Sequence, residues 1–386
     1  MQVYLDNAAS TRVSKSVIEL MNKAMDEDYA NPSARHLKGM EAEKYLKEAA
    51  EKTAKTMKVS QKEIIFTSGG TESNNMALIG AAMARQRYGK HIISTAIEHS
   101  AVHQVLVHLA ELGFEYSILK VDEKGQIDLE ELKSLLREDT ILVSVMYVNN
   151  EIGAVQDIKA IADIVHSYNK DIYMHTDAIQ AYGKFKIFPK KEGIDLLSVS
   201  AHKLHGPKGA GFLYIDERVN IKPIIYGGGQ QRGLRSGTLN TTGIAGMGVA
   251  AKEAYDNFDK EVEYIYGLRD YLIDEITKLN DDGIKINSGK GAKFAPHVVS
   301  ISISGVRAEV LLHAMEERGI YIASGSACSS NHPGISGTLK AIGVSENLLD
   351  ATIRISLSEL NNKEEADYFI KNLKELLPLL RKFVRK

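Results

Sequence analysis

The sequence predicts an α/β fold with a large, mostly parallel sheet, followed by a smaller α+β unit. Short apolar, β-branched runs alternate with longer helical patterns, which is typical of parallel strands joined by crossover helices. The 386 residues are more than one ordinary hydrophobic core accommodates, so we expect two domains.

The candidate strands of the large sheet are apolar runs bounded by turn residues. They are residues 64–67, 91–94, 141–145, 172–175, 196–199 and 211–215. Helical patterns at 73–88, 101–112 and 157–168 lie between them. Past residue 250 a long charged helix is predicted over 251–279, then strands near 298–304 and 353–357, and a final helix over 364–383. We therefore predict a large domain over 16–250 and a small domain formed by 1–15 and 251–386.

Composition narrows the classes of partner and compartment. The formal net charge is −2, which gives no electrostatic reason to expect direct binding to nucleic acid or to an acidic membrane. No apolar run is long enough to cross a bilayer, and the first residues do not resemble a signal peptide. The single cysteine cannot form an internal disulfide, which fits a reducing compartment. We therefore expect a cytoplasmic protein.

A lysine and an aspartate each follow a predicted strand. Lys203 comes after the run 196–199 and precedes a Gly/Pro turn. Burial lowers the pKa of a lysine and frees its amine to form a Schiff base with an aldehyde cofactor. Asp177 follows the run 172–175, at the sheet edge where α/β proteins bind ligands, and can hold a protonated pyridine nitrogen. The alternatives are a plain turn for Lys203 and a helix N-cap for Asp177.

Three further segments carry candidate binding groups. The segment 67–74, Thr-Ser-Gly-Gly-Thr-Glu-Ser-Asn, opens a helix and can cradle a phosphate with its backbone N–H groups, although a simple capping turn has a similar sequence. His99 follows another strand and can stack on a ring or transfer protons. The glycine-rich, basic segment 227–238 suits anion binding better than a flexible linker.

Cys328 is the candidate nucleophile. An isolated cysteine is more often a small buried hydrophobic residue. Here the surrounding residues 323–334 are small, polar and rich in turn formers, which predicts a surface loop. A thiol in such a loop can react with a bound substrate. No second cysteine or His/Cys cluster suggests a metal site.

Together these segments resemble the cysteine desulfurases of the NifS/IscS type, which are pyridoxal-phosphate (PLP) enzymes of the class V aminotransferase group. The resemblance extends from Tyr4 to the strand at 353–357 and includes the segments 67–74, 148–153, 177–180, 200–203, 227–238 and 324–328. It implies PLP-transferase fold type I. It also implies a homodimer that converts L-cysteine to L-alanine and passes sulfur to an acceptor, either an iron–sulfur scaffold or a thiolation enzyme.

The resemblance also implies roles for individual residues. Lys203 would form the Schiff base, Asp177 would contact the pyridine nitrogen, His99 would stack on the ring, and Gln180 would contact the phenolic oxygen. Because a thiol is only partly ionised at neutral pH, we also expect His99 to deprotonate the incoming thiol. The remaining cofactor and substrate contacts would come from Gly70, Thr71, Ser200 and His202 at the phosphate, Thr238 at the phosphate of the other subunit, Asn150 near the cofactor oxygen and the substrate, Arg354 and Asn31 at the substrate carboxylate, and Cys328 as sulfur acceptor.

Other functions stay open at this point. A selenocysteine lyase or another class V aminotransferase-like enzyme would share most of these residues. A sulfur-relay scaffold without catalysis predicts a colourless protein. A plain phosphate-binding module would explain the glycine-rich segments, but not Lys203 together with Asp177.

Overall fold

The computed structural model describes residues 1–325 and 336–383. Its strands are β1 (Val3–Tyr4), β2 (Ile64–Thr67), β3 (His91–Thr95), β4 (Glu115–Leu119), β5 (Thr140–Ser144), β6 (Tyr173–Asp177), β7 (Leu196–Ser200), β8 (Gly211–Ile215), β9 (Ile284–Ile286), β10 (Val298–Ile303), β11 (Ile320–Tyr321), β12 (Ala323–Ser324) and β13 (Thr352–Ser356). Its helices are α1 (Lys15–Asp26), α2 (Leu37–Met57), α3 (Gly70–Arg85), α4 (Ser100–Glu111), α5 (Leu129–Leu135), α6 (Ile158–Tyr168), α7 (Pro189–Glu192), α8 (Thr241–Asp256), α9 (Phe258–Lys278), α10 (Ala308–Glu316), α11 (Gly337–Ala341), α12 (Glu346–Leu349) and α13 (Lys363–Leu380).

The large sheet has seven strands in the order β2-β8-β7-β6-β5-β3-β4. Within it, β8 runs antiparallel to both of its neighbours, β2 and β7, and the remaining pairs are parallel. All six predicted strands are present, which confirms the mostly parallel sheet. The additional strand β4 was not predicted. It is an edge strand with exposed residues at its start, so its sequence is not a continuous apolar run.

Helices cover both faces of this sheet. One hydrophobic cluster joins the sheet to α3 and α4 through residues such as Leu78 and Leu106. The cluster on the other face joins it to α6 and α8 through residues such as Ile161 and Met247. This burial on both sides explains why the parallel strands have nearly continuous apolar sequences.

A second group of strands lies in the C-terminal part of the chain. The antiparallel sheet has the order β12-β13-β10-β9, and β1 pairs in parallel with β11. The N-terminal residues Val3 and Leu5 belong to the same hydrophobic cluster as α9, α10 and α13. The division into domains at residues 15/16 and 250/251 stays a prediction.

The single long helix predicted over 251–279 is wrong. The structure has two helices, α8 and α9, separated at Asn257, whose φ of −116° and ψ of 24° are not helical. Ala250 and Ala251 pack into a cluster of the large sheet, whereas Ile265 and Leu268 pack with the C-terminal strands. The chain must change direction between the two cores, and periodicity alone does not reveal this break.

In the described part of the chain, no helix has both the length and the apolar character that spanning a bilayer requires.

Candidate active site

The parallel strands end at a common edge, where most of the predicted site residues meet. They line a cavity of about 170 Å³. Its walls consist of Gly70, Thr71, His99, Asn150, Asp177, Gln180, Ser200, His202 and Lys203, together with Ala8, Met146 and Ile179. All but one of the residues predicted to bind the cofactor therefore lie around a single space.

Asp177, the last residue of β6, lies at the base of this cavity. Its Oδ2 accepts a hydrogen bond from Nδ2 of Asn74 at 2.7 Å, and its Oδ1 accepts one from the backbone N–H of Ile179 at 3.0 Å. Burial raises the pKa of Asp177, although these two donors and the electrostatic effects of His99 and Lys203 act in the opposite direction. A cationic group in the cavity would therefore stabilise its ionised form.

The start of α3 forms another wall of the cavity. Gly70 is the first helical residue, and a Cβ placed on it would lie 2.0 Å from Cδ1 of Ile179. Nδ1 of His202 is buried and has no hydrogen-bond partner among the described residues. Burial, followed by the charges of Lys203 and Lys208, lowers the pKa of His202 to about 4, so its ring is neutral. The helix terminus and this ring nitrogen suit an anionic ligand.

His99 lies between β3 and α4 and has an extended backbone, as an N-cap residue requires. Its Nδ1 accepts a hydrogen bond from the backbone N–H of Ala101 at 3.1 Å. In the neutral ring the proton is therefore on Nε2. His99 can donate a hydrogen bond from Nε2, whereas accepting a proton at Nδ1 would break the helix cap.

The preceding residue, Glu98, links two strand ends of the site. Its Oε1 accepts hydrogen bonds from the backbone N–H of Met146 and the hydroxyl of Thr95, each at 2.8 Å. Burial raises the pKa of Glu98 to about 8. The protonated carboxyl thus joins the turn after β3 to the turn after β5.

Lys203 ends the 3₁₀ turn Ala201–Lys203, which directly follows β7. Its Nζ donates hydrogen bonds to the carbonyl oxygens of Ala8 at 2.5 Å and Ala9 at 2.8 Å. Its own carbonyl oxygen accepts a hydrogen bond from Nζ of Lys184 at 2.9 Å. The N-terminal segment and the segment after β6 therefore both hold this lysine.

Gln180 is oriented by two partners. Its Nε2 donates to the carbonyl oxygen of Ala8 at 2.9 Å, and its Oε1 is 3.0 Å from Nε2 of His297. Burial, together with surrounding cations, keeps the pKa of His297 well below its usual value. His297 is therefore neutral and can donate to the amide oxygen of Gln180.

Arg354, on β13, approaches the cavity from the C-terminal sheet. Its guanidinium donates to Oδ1 of Asp6 and to the carbonyl oxygen of Asn150, each at 2.9 Å. Its Nε is buried without a hydrogen-bond partner among the described residues. A guanidinium group held beside Asn150 suits the recognition of a carboxylate.

Arg354 contacts Asn150 but does not itself line the cavity, and three further predicted residues lie apart from the cavity or outside the described residues. Asn31 is exposed, and its Oδ1 accepts a hydrogen bond from the backbone of Ser33. Thr238 is exposed and does not line the cavity. Cys328 lies outside the described residues.

The described residues that flank segment 326–335 are attached next to the site. The backbone N–H of Gly325 donates to the carbonyl of Thr352 at 2.8 Å, two residues before Arg354. The hydroxyl of Ser336 donates to Glu151, the neighbour of Asn150, at 2.5 Å. In the described ranges, no group of three or more His, Cys, Asp or Glu residues has an arrangement that could hold a metal ion.

Sequence reasoning missed several residues that support the site. Asn74, His297, Glu98 and Lys184 hold Asp177, Gln180, Met146 and Lys203, respectively. Asn74 could have been found, because it lies one helical turn after Gly70 and thus on the same side of α3. His297 is 117 residues from Gln180, and no local pattern connects them.

Comparisons with known proteins cover nearly the whole chain. The aminotransferase class-V family matches residues 3–369. A protein of Dictyoglomus turgidum named cysteine desulfurase IscS is 43% identical over 380 residues, which are 98% of this chain and 95% of that protein.

Two solved structures are also similar. A NifS-like protein has a TM-score of 0.92 at 39% identity, covering 98% of this chain and all of the other. SspA in complex with cysteine has a TM-score of 0.81 at 34% identity, covering 94% of this chain and all of the other. These likenesses extend over both groups of strands described above.

Proposed function

Because the chain belongs to the class V aminotransferase family, and within it to the cysteine desulfurases of the NifS/IscS type, we propose that it converts L-cysteine to L-alanine with PLP and holds the sulfur as a persulfide on Cys328. The observation that carries this proposal is the meeting of Lys203, Asp177 and the start of α3 around one cavity. Those three features match the aldehyde, the pyridine nitrogen and the phosphate of PLP.

The residues around the cavity fit this cofactor. The helix start at Gly70 and the unpartnered Nδ1 of His202 would hold the phosphate, with Thr71 and Ser200 beside them. Asp177, whose pKa is raised by burial, would hold the proton of the ring nitrogen. Gln180 and Asn150 would contact the ring oxygen. When bound, PLP supplies an aldehyde for Lys203 and a ring that delocalises the negative charge developing at the substrate Cα.

Each polar residue has a task in this reaction. Arg354 binds the substrate carboxylate, with Asn31 as the second proposed contact. Lys203 takes the proton from the substrate Cα, acting as a general base. His99 stacks on the ring and donates from Nε2, because its Nδ1 caps α4. The alternative, that His99 deprotonates the incoming thiol, requires the loss of that cap.

Sulfur transfer follows from the chemistry of Cys328. Its thiolate attacks the substrate sulfur, a sulfur–sulfur bond forms, the Cβ–sulfur bond breaks, and Cβ takes up a proton. The balance is L-cysteine plus the thiol giving L-alanine plus the persulfide. The flanking residues Gly325 and Ser336 are attached beside Arg354 and Asn150, which supports a reacting thiol in the intervening segment.

We further propose that the enzyme is a cytoplasmic homodimer and that an acceptor protein, either an iron–sulfur scaffold or a thiolation enzyme, takes the sulfur. Arg235 forms an ion pair with Glu72 in the first turn of α3, with 2.7 Å between Nε and Oε1. This contact keeps the glycine-rich segment beside the phosphate wall. In a dimer, Thr238 would reach the phosphate in the partner subunit. Light scattering tests the dimer, and persulfide trapping with a pull-down tests the acceptor.

The experiment that tests the function measures L-alanine formed from L-cysteine by the purified, PLP-loaded protein. We expect a yellow protein that forms alanine, and a Lys203→Ala variant that forms none. Faster turnover of L-selenocysteine would favour a selenocysteine lyase, and exchange with a keto acid would favour an aminotransferase. A colourless, inactive wild-type protein would contradict the proposal and favour a scaffold.

A further inference from the structure

Lys184 contacts the turn that carries Lys203 but does not line the proposed cofactor cavity. Together with Lys203 it lines a second cavity of about 600 Å³, whose other walls come from the start of α1, from α8 and α9, and from residues 357–360. Lys203 lines both cavities, so Lys184 can act on the Lys203 turn from outside the cofactor cavity.

The position of Lys184 is fixed by its own surroundings. The preceding residue, Gly183, has a φ of +82°, and its N–H donates to the hydroxyl of Tyr255 at 3.1 Å. The N–H of Lys184 donates to the carbonyl of Ala181 at 2.9 Å. A donor held in this way gives its partner a defined position.

Two adjacent carbonyls of the reactive turn are held from outside it. The carbonyl of His202 accepts from the backbone N–H of Thr11 at 2.9 Å and from its hydroxyl at 3.0 Å. The carbonyl of Lys203 accepts from Nζ of Lys184 at 2.9 Å. Lys184 thus supplies a side-chain donor to the peptide that carries the reactive amine.

Lys184 also brings charge to this region. Burial lowers its pKa to about 8, and Glu359 partly opposes this effect, so the side chain remains mostly cationic at neutral pH. Lys184 and Lys203 both lower the pKa of His297. The acid that faces Lys184, Glu359, forms an ion pair with His205 at 3.0 Å. The other titratable groups around this cavity are Glu253, Asp256, Glu261, Arg12 and Lys15.

We propose that Lys184 is a positioning residue for the reaction, which fixes the Lys203 peptide through its hydrogen bond to the Lys203 carbonyl. A fixed peptide limits the directions in which the Lys203 amine can point and so favours its approach to a bound aldehyde. This inference rests on the proposed PLP function. It assigns to Lys184 a task that does not require contact with PLP.

The test follows PLP capture by the apoprotein as a function of pH, using the growth of visible absorbance. In Lys184→Met, which lacks the donor, and in Lys184→Gln, whose shorter side chain holds its donor away from the carbonyl, we expect capture to slow roughly tenfold across the pH range. Lys184→Arg keeps a long cationic donor and should restore the wild-type rate. The melting temperature of each apoprotein is measured in parallel.

The outcomes separate this inference from the proposed function. An unchanged capture rate in Lys184→Met and Lys184→Gln, with or without a lower melting temperature, would overturn the role of Lys184 and leave the PLP function intact. Capture by Lys184→Arg that is as slow as in Lys184→Met would overturn it as well. If Lys184→Met does not fold, Lys184→Gln and Lys184→Arg still give the comparison. Absence of capture by the wild-type protein would instead refute the proposed function.

Discussion

The contact between Asn74 and Asp177 allows a quantitative prediction about the base of the site. Both residues are buried, and 2.7 Å separates Nδ2 of Asn74 from Oδ2 of Asp177. A hydrogen bond to a charged group contributes about 1.5–3 kcal/mol to stability. In Asn74→Ala we therefore expect the free energy of unfolding of the apoprotein to fall by about this amount where Asp177 is ionised.

The pH dependence has a definite sign. Burial already raises the pKa of Asp177 in the folded protein, and loss of the donor raises it further. The folded state then holds a proton that the unfolded state releases, so stability is lost as pH rises through the folded pKa. The difference between Asn74→Ala and wild type should therefore grow with pH.

The assay is urea unfolding of the apoprotein at several pH values, arranged as a double-mutant cycle with Asp177→Ala. Asn75→Ala is the matched control, because Asn75 lies on the same helix and donates to the carbonyl of Thr71 instead. A coupling free energy below about 0.5 kcal/mol, within the usual scatter of additivity, would refute the reasoning. So would a coupling that does not change with pH.

Three further predictions concern the cavity and the turn that supports it. Gly70→Ala places a Cβ 2.0 Å from Cδ1 of Ile179. Overpacking of this kind costs about 1–3 kcal/mol, so PLP binding measured by equilibrium dialysis should weaken roughly tenfold or more. The second substitution Ile179→Ala should restore PLP binding. Because burial raises the pKa of Glu98 to about 8, the free energy of unfolding should fall by up to about 1.4 kcal/mol per pH unit as pH rises from about 5 to 8. In urea titrations, Glu98→Gln should not show this slope. At position 99, Gln can replace the Nε2 donor of His99, whereas Asn can replace its helix cap. We therefore expect His99→Gln to form alanine faster than His99→Asn, and to unfold at a lower temperature.

Each of these has its own control. Gly267→Ala, where an added Cβ meets no atom within 4 Å, should bind PLP as wild type does; equal losses at Gly70 and Gly267 would contradict the packing argument. Equal slopes for wild type and Glu98→Gln would show that Glu98 is ionised in the folded protein. Faster alanine formation by His99→Asn than by His99→Gln would exclude donation from Nε2.

The sequence indicated the positions of strand ends better than the contacts between distant residues. Asp177 and Lys203 could be predicted because parallel strands place their carboxyl ends at one edge, whatever the helices between them. The contact of Gln180 with His297, and that of Lys203 with Ala8, depend on how separate parts of the chain fold together. No residue spacing contains that information.

In the secondary structure, too, local sequence patterns could be predicted, whereas features that depend on distant contacts could not. The apolar strand β7, buried throughout, was evident from its composition. The edge strand β4 was not, because exposed residues interrupt its apolar pattern. The break at Asn257 reflects two hydrophobic cores that meet along the chain, whereas helical periodicity continues on both sides of it.

The most direct test of the central claim is a single turnover of the PLP-loaded protein with L-cysteine, followed by mass spectrometry of the peptide that contains Cys328. We expect one additional sulfur on Cys328 for each L-alanine released, and no alanine from Cys328→Ser, although that variant keeps its PLP absorbance. Alanine formation by Cys328→Ser at the wild-type rate, or sulfur bound at another residue, would contradict the account.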